Sequence, residues 1–244
     1  MFNSLIKAAV VGLGLISASA VSAATVTFDF DKATTGWKKE LTYSEGGIDL
    51  TVTGKSTNDW DAKVATWKGW GLGVCNKGEA LLACPSFLDQ HAIDSFVFLD
   101  DVAVLTFSKA VKLTSLVFNG LGNDHNTFDL YDLANGWTEI LTGAEIGGGS
   151  TETYSFADGP VSLSFGIGAG TTTITQCEEP KYSKKSKFKQ PKCWEKTYYS
   201  AFKLRSVTVE ELPPPPSAVP LPAAGLLLVG GLGAMAAVRR RKTA

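Results

Sequence analysis

Apolar and polar residues alternate along this chain in short bursts, and each burst stops at a cluster of turn-forming residues. Over residues 25–31, Val26, Phe28 and Phe30 fall on one side and Thr27, Asp29 and Asp31 on the other. A period of two puts alternate side chains on opposite faces of an extended backbone, whereas a helix needs a repeat near 3.6. Residues 48–53 alternate in the same way. Apolar runs rich in Val, Leu and Phe follow at 96–99, 102–107 and 113–118, and 127–133, 151–156, 161–167 and 202–210 continue the series of short segments. Between them lie Gly46-Gly47, Asn119-Gly120, Gly122-Asn123-Asp124, Asn135-Gly136, Gly147-Gly148-Gly149 and Asp158-Gly159-Pro160. Such residues reach turn dihedrals at little cost or cap turns with their side chains. Short strands at this spacing predict an all-β domain, an antiparallel β-sandwich of the jelly-roll kind found in galactose-binding and carbohydrate modules. No amphipathic helical stretch of convincing length interrupts residues 24–212.

The two ends break this pattern. Residues 1–23 carry one charge, Lys7, then an apolar run over 8–16 and the small residues Ser17, Ala18, Ser19 and Ala20 before Val21-Ser22-Ala23. A basic start, a short apolar middle and a small-residue cut define a secretory signal peptide, expected to be cleaved after Ala23 or, alternatively, after Ala20. No Cys lies near the cut and no twin Arg precedes it, so general secretion is the expected route. At the other end, four prolines over 213–216 open a stiff spacer that runs to 218. Residues 223–238 are apolar or small; as a helix they would span about 24 Å at 1.5 Å per residue. A hydrocarbon core is about 30 Å thick, and snorkelling basic side chains with local thinning cover the deficit. Arg239, Arg240, Arg241 and Lys242 follow. Such a cluster prefers the cytoplasmic side, which leaves the 24–212 body outside, held at the inner membrane by a single C-terminal transmembrane helix.

Val219-Pro220-Leu221-Pro222-Ala223, the Gly-rich apolar stretch and the terminal Arg cluster occur in that order within 219–244. Together they resemble a VPLPA-CTERM sorting signal, a variant of the PEP-CTERM signals of exported bacterial proteins. The resemblance covers residues 219–242, about a tenth of the chain. It implies recognition by an exosortase, a membrane transpeptidase-like enzyme, and removal of the helix. It also implies a Gram-negative host that makes extracellular polysaccharide, and final delivery to the cell surface or beyond. Leu221 stands where the parent motif has Glu. An anchor that is never cut is the alternative, because the basic cluster fixes orientation and says nothing of cleavage.

Charge narrows the partners. The whole chain is nearly neutral at -1, but leaving out the five basic residues of the two ends gives 18 basic and 24 acidic residues, a body near -6. A general nucleic-acid binder carries the opposite bias. One stretch departs from it: Lys181, Lys184, Lys185, Lys187, Lys189 and Lys192 face only Glu178 and Glu179 between Cys177 and Cys193. These lysines read as a charge hook for acidic polysaccharide or anionic lipopolysaccharide, or as solvated side chains that blunt an edge strand.

The four cysteines, Cys75, Cys84, Cys177 and Cys193, fit an oxidising compartment. Four cysteines allow three connectivities; the sequence-local one, Cys75–Cys84 and Cys177–Cys193, is expected because each pair brackets one loop-like segment. Zinc is the weaker alternative, since no C-x-x-C knuckle is present and both histidines lie outside those segments.

Trp60, Trp67 and Trp70 cluster near Asp59 and Asp61. Sugar C–H faces pack on indole rings, and carboxylates accept hydroxyl protons, so these tryptophans are candidate glycan contacts; the alternative is ordinary burial in a sandwich core. Asp29, Asp31, Asp100, Asp101, Asp124, Asp129 and Asp132 fall at or near predicted strand ends. Of these Asp29, Asp31, Asp124 and Asp129 are the candidate ligands of a structural Ca²⁺, which takes six to eight oxygens; turn capping is the alternative. Catalysis is not expected. His91 and His125 are the only histidines, and no G-x-S-x-G, H-E-x-x-H or P-loop pattern occurs. The expected role is an exported surface or extracellular-matrix protein associated with exopolysaccharide or biofilm. A calcium-stabilised carbohydrate-binding module on the cell surface is the rival.

Overall fold

The computed structural model describes residues 24–56, 61–76, 92–95, 100–120, 125–178 and 192–213. The segments expected to be a signal peptide and a sorting signal, the apolar run at 96–99 and nearly all of the proline spacer lie outside the described residues. In chain order the strands are β1 (Thr25–Asp29), β2 (Glu40–Glu45), β3 (Ile48–Ser56), β4 (Asp61–Trp67), β5 (Gly71–Asn76), β6 (Ile93–Asp94) and β7 (Asp101–Gly120). They continue with β8 (Thr127–Asp132), β9 (Thr138–Glu145), β10 (Glu152–Ser155), β11 (Val161–Ala169), β12 (Thr171–Cys177), β13 (Cys193–Tyr199) and β14 (Ala201–Glu211). Among the described residues there is no helix, so none long and apolar enough to cross a membrane.

β7 organises the molecule. Its first part pairs with β3 on one side, from Asp101 with Ser56 to Phe107 with Leu50, and with β11 on the other. Its second part pairs with β14 and, over Ser115 to Phe118, with β10. One strand therefore serves two layers. The first holds β9, β8, β11, β7, β3 and β2; the second holds β1, β14, β7 and β10, with β6 beside the start of β14. The β4–β5 hairpin links them, because β4 pairs with β3 at Gly54 and Lys55 while β5 meets β14 at Leu72 and Leu204.

The runs 102–107 and 113–118, read above as two strands, are thus one strand of 20 residues. The polar Ser108-Lys109 interruption does not end it. Val111 and Lys112 stay extended and pair with Ser162 and Val161 on one side and Glu211 and Glu210 on the other.

Alternation decides what is buried. Val26 and Phe28 of β1 point inward while Thr25 and Thr27 stay in water. Phe28, Leu50, Leu105, Phe118, Phe165 and Phe202 are fully buried in one continuous core. Each contributes on the order of 1.5–3 kcal/mol by leaving water. The rings interlock: Phe118 packs 5.0 Å from both Phe128 and Phe202, and Phe107 joins Phe28 at 5.9 Å to Phe165 at 6.3 Å. β12 and β13 form a separate two-stranded sheet that contributes nothing to this core.

Candidate functional site

The turn at residues 68–70 joins β4 to β5; it holds Trp70, and Trp67 ends β4 just before it. Gly69 and Gly71 hold φ of +81° and +114° there. At Gly71 a Cβ would lie 2.5 Å from the Leu204 carbonyl oxygen, so only glycine lets the turn lie against β14. The backbone is fixed from both sides. Trp70 N–H donates to the Trp67 carbonyl at 3.0 Å, Gly69 N–H to the Asp31 carbonyl at 2.8 Å, and Lys68 N–H to Thr34 Oγ1 at 3.0 Å. Asn119 Nδ2 donates to the Trp70 carbonyl, and Asn119 in turn accepts from Thr151 Oγ1 at 2.8 Å.

The side chains of the turn divide their labour. Trp67 is half-buried, with the Trp37 ring edge-on at 5.4 Å and the Lys203 ammonium 4.1 Å from its ring centroid. Lys203 is only 5% exposed, and a cation held over an indole in partial burial is favourable by about 1–2 kcal/mol. Trp70 stays 54% exposed. Beside the turn, Arg205 Nε donates to Asp31 Oδ2 at 2.7 Å. The pinned turn therefore leaves the Trp70 indole half in water, with the Trp67 indole at the end of β4 and the guanidinium–carboxylate pair on segments the turn is bonded to or lies against. Those groups suit a polyhydroxylated ring, whose C–H face packs on indole while its hydroxyls bond to the charged pair. Trp60 lies outside the described residues. Trp37 was missed in the sequence, where Gly36-Trp37-Lys38-Lys39 shows no period; the bridge between Lys38 and Val64 is what lays it along β4.

The β12–β13 hairpin is the second exposed feature. Cys177 and Cys193 are bonded at its far end, with Cα atoms 4.0 Å apart, as the local pairing requires. Cys75 is disulfide-bonded as well; its expected partner, Cys84, lies outside the described residues. At the root, Ser95 Oγ donates to the Gly170 carbonyl at 3.0 Å and accepts from Ser200 N–H at 3.1 Å. Ser200 Oγ accepts from Thr127 N–H at 2.8 Å. These groups are buried, so the hairpin is anchored firmly where it leaves the body. Lys192 is exposed beside the disulfide; Lys181, Lys184, Lys185, Lys187 and Lys189 lie outside the described residues.

Among the described residues the carboxylates have separate partners, although Asp100 and Asp129 lie close enough to repel. Asp29 pairs with Lys32 at 3.2 Å, holding that ammonium's pKa up, and Asp31 faces Arg205. Asp129 accepts from Gly143 N–H at 2.6 Å and from the Tyr131 hydroxyl at 3.4 Å. Burial pushes the Asp129 carboxyl upward; burial and the Asp129 charge push Asp100 the same way. Asp101 is buried and accepts from Asn76 Nδ2 at 3.1 Å. Asp132 behaves oppositely. Burial works to raise it, but hydrogen bonds from Ser162, Asn135 and local backbone amides outweigh that and hold it below the usual carboxylate range. Asp124 and His91 lie outside the described residues, and His125 stacks on Tyr198. Among the described residues no group of three or more His, Cys, Asp or Glu side chains could hold a metal ion.

No family model matches this sequence, and no curated protein matches it. Among solved structures, wild-type discoidin II from Dictyostelium discoideum aligns at 12% identity over 54% of this chain and 85% of that one, with a TM-score of 0.26. A score that low does not establish a shared fold, so the architecture rests on strand pairing and burial.

Proposed function

We propose that this chain is an exported surface or extracellular-matrix protein that holds extracellular polysaccharide through the Trp67–Trp70 turn. The observation that carries the reading is the exposed Trp70 indole on a backbone pinned by Asp31 and Asn119. Preorganised aromatics cost little entropy on binding, which favours contact with a polymer of modest intrinsic affinity. In this reading the body is a jelly-roll sandwich of the carbohydrate-module kind, with no catalytic role. The signal peptide exports it, the C-terminal helix holds it at the inner membrane, and an exosortase acts at Val219-Pro220-Leu221-Pro222-Ala223.

Binding is tested by co-sedimentation of the exported protein with host polysaccharide, for the parent and for Trp70→Ala. A loss of about tenfold in affinity is expected, the size of one good aromatic contact. Undiminished binding by Trp70→Ala would remove the turn from the reading. Sorting is tested by the intact mass of the mature protein, expected to start at Ala24 and end within 219–223. A mature chain that retains Arg239 to Lys242 would replace processing with permanent anchoring.

A further inference from the structure

We propose that one face of the β12–β13 hairpin is a second glycan contact, selective for an anionic sugar polymer. This second contact presupposes the polysaccharide role proposed above and differs from the Trp70 turn in place and in charge. The pairing register assigns the faces. Thr171 opposes Tyr199 and Cys177 opposes Cys193, so Thr172, Ile174 and Gln176 share one face with Trp194, Lys196 and Tyr198. Thr175 and Glu195 belong to the opposite face. The first face therefore carries a cation and two aromatic rings and no carboxylate.

Its groups are arranged rather than scattered. The Lys196 ammonium lies 4.5 Å from the Tyr198 ring centroid, over an aromatic face and not against a carboxylate. Gln176 Nε2 donates to the Tyr198 hydroxyl at 2.9 Å, and His125 packs on Tyr198 at 4.4 Å between ring centroids. Tyr198 is thereby held at the base, while Trp194 is 47% exposed toward the disulfide end. A sugar ring has an indole to pack on, and its carboxylate, sulfate or phosphate has an ammonium two residues away.

Charge complementarity selects the occupant. The loop closed by Cys177 and Cys193 contains six lysines and two glutamates, while the body between the two apolar ends carries more acid than base. An acidic polymer approaching an acidic body is drawn toward the segment of the sequence with the largest local excess of positive charge, which this hairpin carries between its two strands. A neutral polymer gains no such advantage and would use the Trp70 turn.

The test uses the whole exported protein with two polymers, a polyuronate and a neutral glucan. Trp194→Ala combined with Lys196→Ala is expected to weaken polyuronate binding by at least about tenfold and to leave glucan binding within about twofold. Lys196→Glu, which preserves a long side chain in the strand, is expected to do the same through charge alone. Glu195→Ala, on the opposite face, is expected to leave polyuronate binding intact or tighten it. Parent-like polyuronate binding by the double variant and by Lys196→Glu would overturn the proposal, as would an equal loss for both polymers. A parent that binds glucan but never polyuronate would also sink it while sparing the Trp70 turn. A parent that binds neither would sink the polysaccharide role itself.

Discussion

Breaking the Cys177–Cys193 bond should release the β12–β13 hairpin without unfolding the body. The bond closes a segment of sequence separation 16. In the chain-entropy picture such a loop is worth about 3 kcal/mol, or about two powers of ten in the open fraction. Beyond the hydrogen-bonded root at Ser95 and Ser200 and the His125–Tyr198 ring contact, little among the described residues holds the hairpin. It has seven cross-strand pairs, one face in water, the other only half-buried, and no share in the apolar core, and a lone two-stranded sheet is marginal at best. The body loses nothing, because its core lies wholly in the other sheet. The clean perturbation is Cys177→Ser with Cys193→Ser, since reduction would also open the bond at Cys75. Hydrogen exchange read by mass spectrometry should show protection in 171–177 and 193–199 falling by about two powers of ten. Protection in 101–107 should not move. Unchanged hairpin protection would mean that some other contact carries it. Parallel loss in β7 would mean that the hairpin and the body are one cooperative unit, and the reasoning would be wrong.

Other consequences can be checked more briefly. Asp132→Ala removes the acceptor of Ser162 Oγ and Asn135 Nδ2, both at 2.6 Å, and should cost about 2–3 kcal/mol in a denaturant titration. An effect near zero would show those bonds to be dispensable. Gly71→Ala forces a Cβ against the Leu204 carbonyl at a φ that disfavours side chains; we expect about 2–4 kcal/mol of destabilisation together with weaker glycan binding. The raised Asp100 and Asp129 carboxyls bind protons more readily folded than unfolded, so their contribution to stability improves as pH falls from 7 through their folded pKa values. Asp132 acts in the other direction: its contribution is present above the unfolded carboxylate range and is lost as pH falls through its lowered folded pKa. Asp129→Asn should therefore raise Tm at pH 7 and flatten the gain on mild acidification, and a lower Tm at pH 7 would refute the sign. Because Asp29 and Asp31 already face Lys32 and Arg205, chelation of divalent cations should leave Tm unchanged, whereas a fall of several degrees would establish a structural calcium.

Much of the fold was legible because one-sided burial writes itself into the sequence. β1 and β3 alternate cleanly, and the predicted run at 161–167 is the greater part of β11. β5 was hidden for the opposite reason. All six of its residues are buried, so Gly71-Leu72-Gly73-Val74 has no alternation to find, and its two glycines are poor strand formers. β12 and β13 were hidden because neither face is buried, so Thr171 to Gln176 has no apolar rhythm to find. The disulfide at their tip was nonetheless readable from spacing. At the candidate site, Trp67 and Trp70 stood out by composition, but Trp37, Lys203 and Asn119 are brought to them by pairings between distant segments. Periodicity carries no information about such meetings. The single length of β7 was missed because a polar interruption usually marks a turn, and here it marks a change of partner layer.

β14 has a bearing on the order of events during folding. It pairs with β1 at the very start of the body, Thr25 opposite Glu210, and also with β5, β6 and β7. Four strands thus wait on the last of the described strands to be synthesised. Until residue 211 is available, β1 lacks its partner among the described strands and the second half of β7 lacks its β14 neighbour, so the second layer stays open. Closure of the body is timed by its final strand, immediately before the proline spacer.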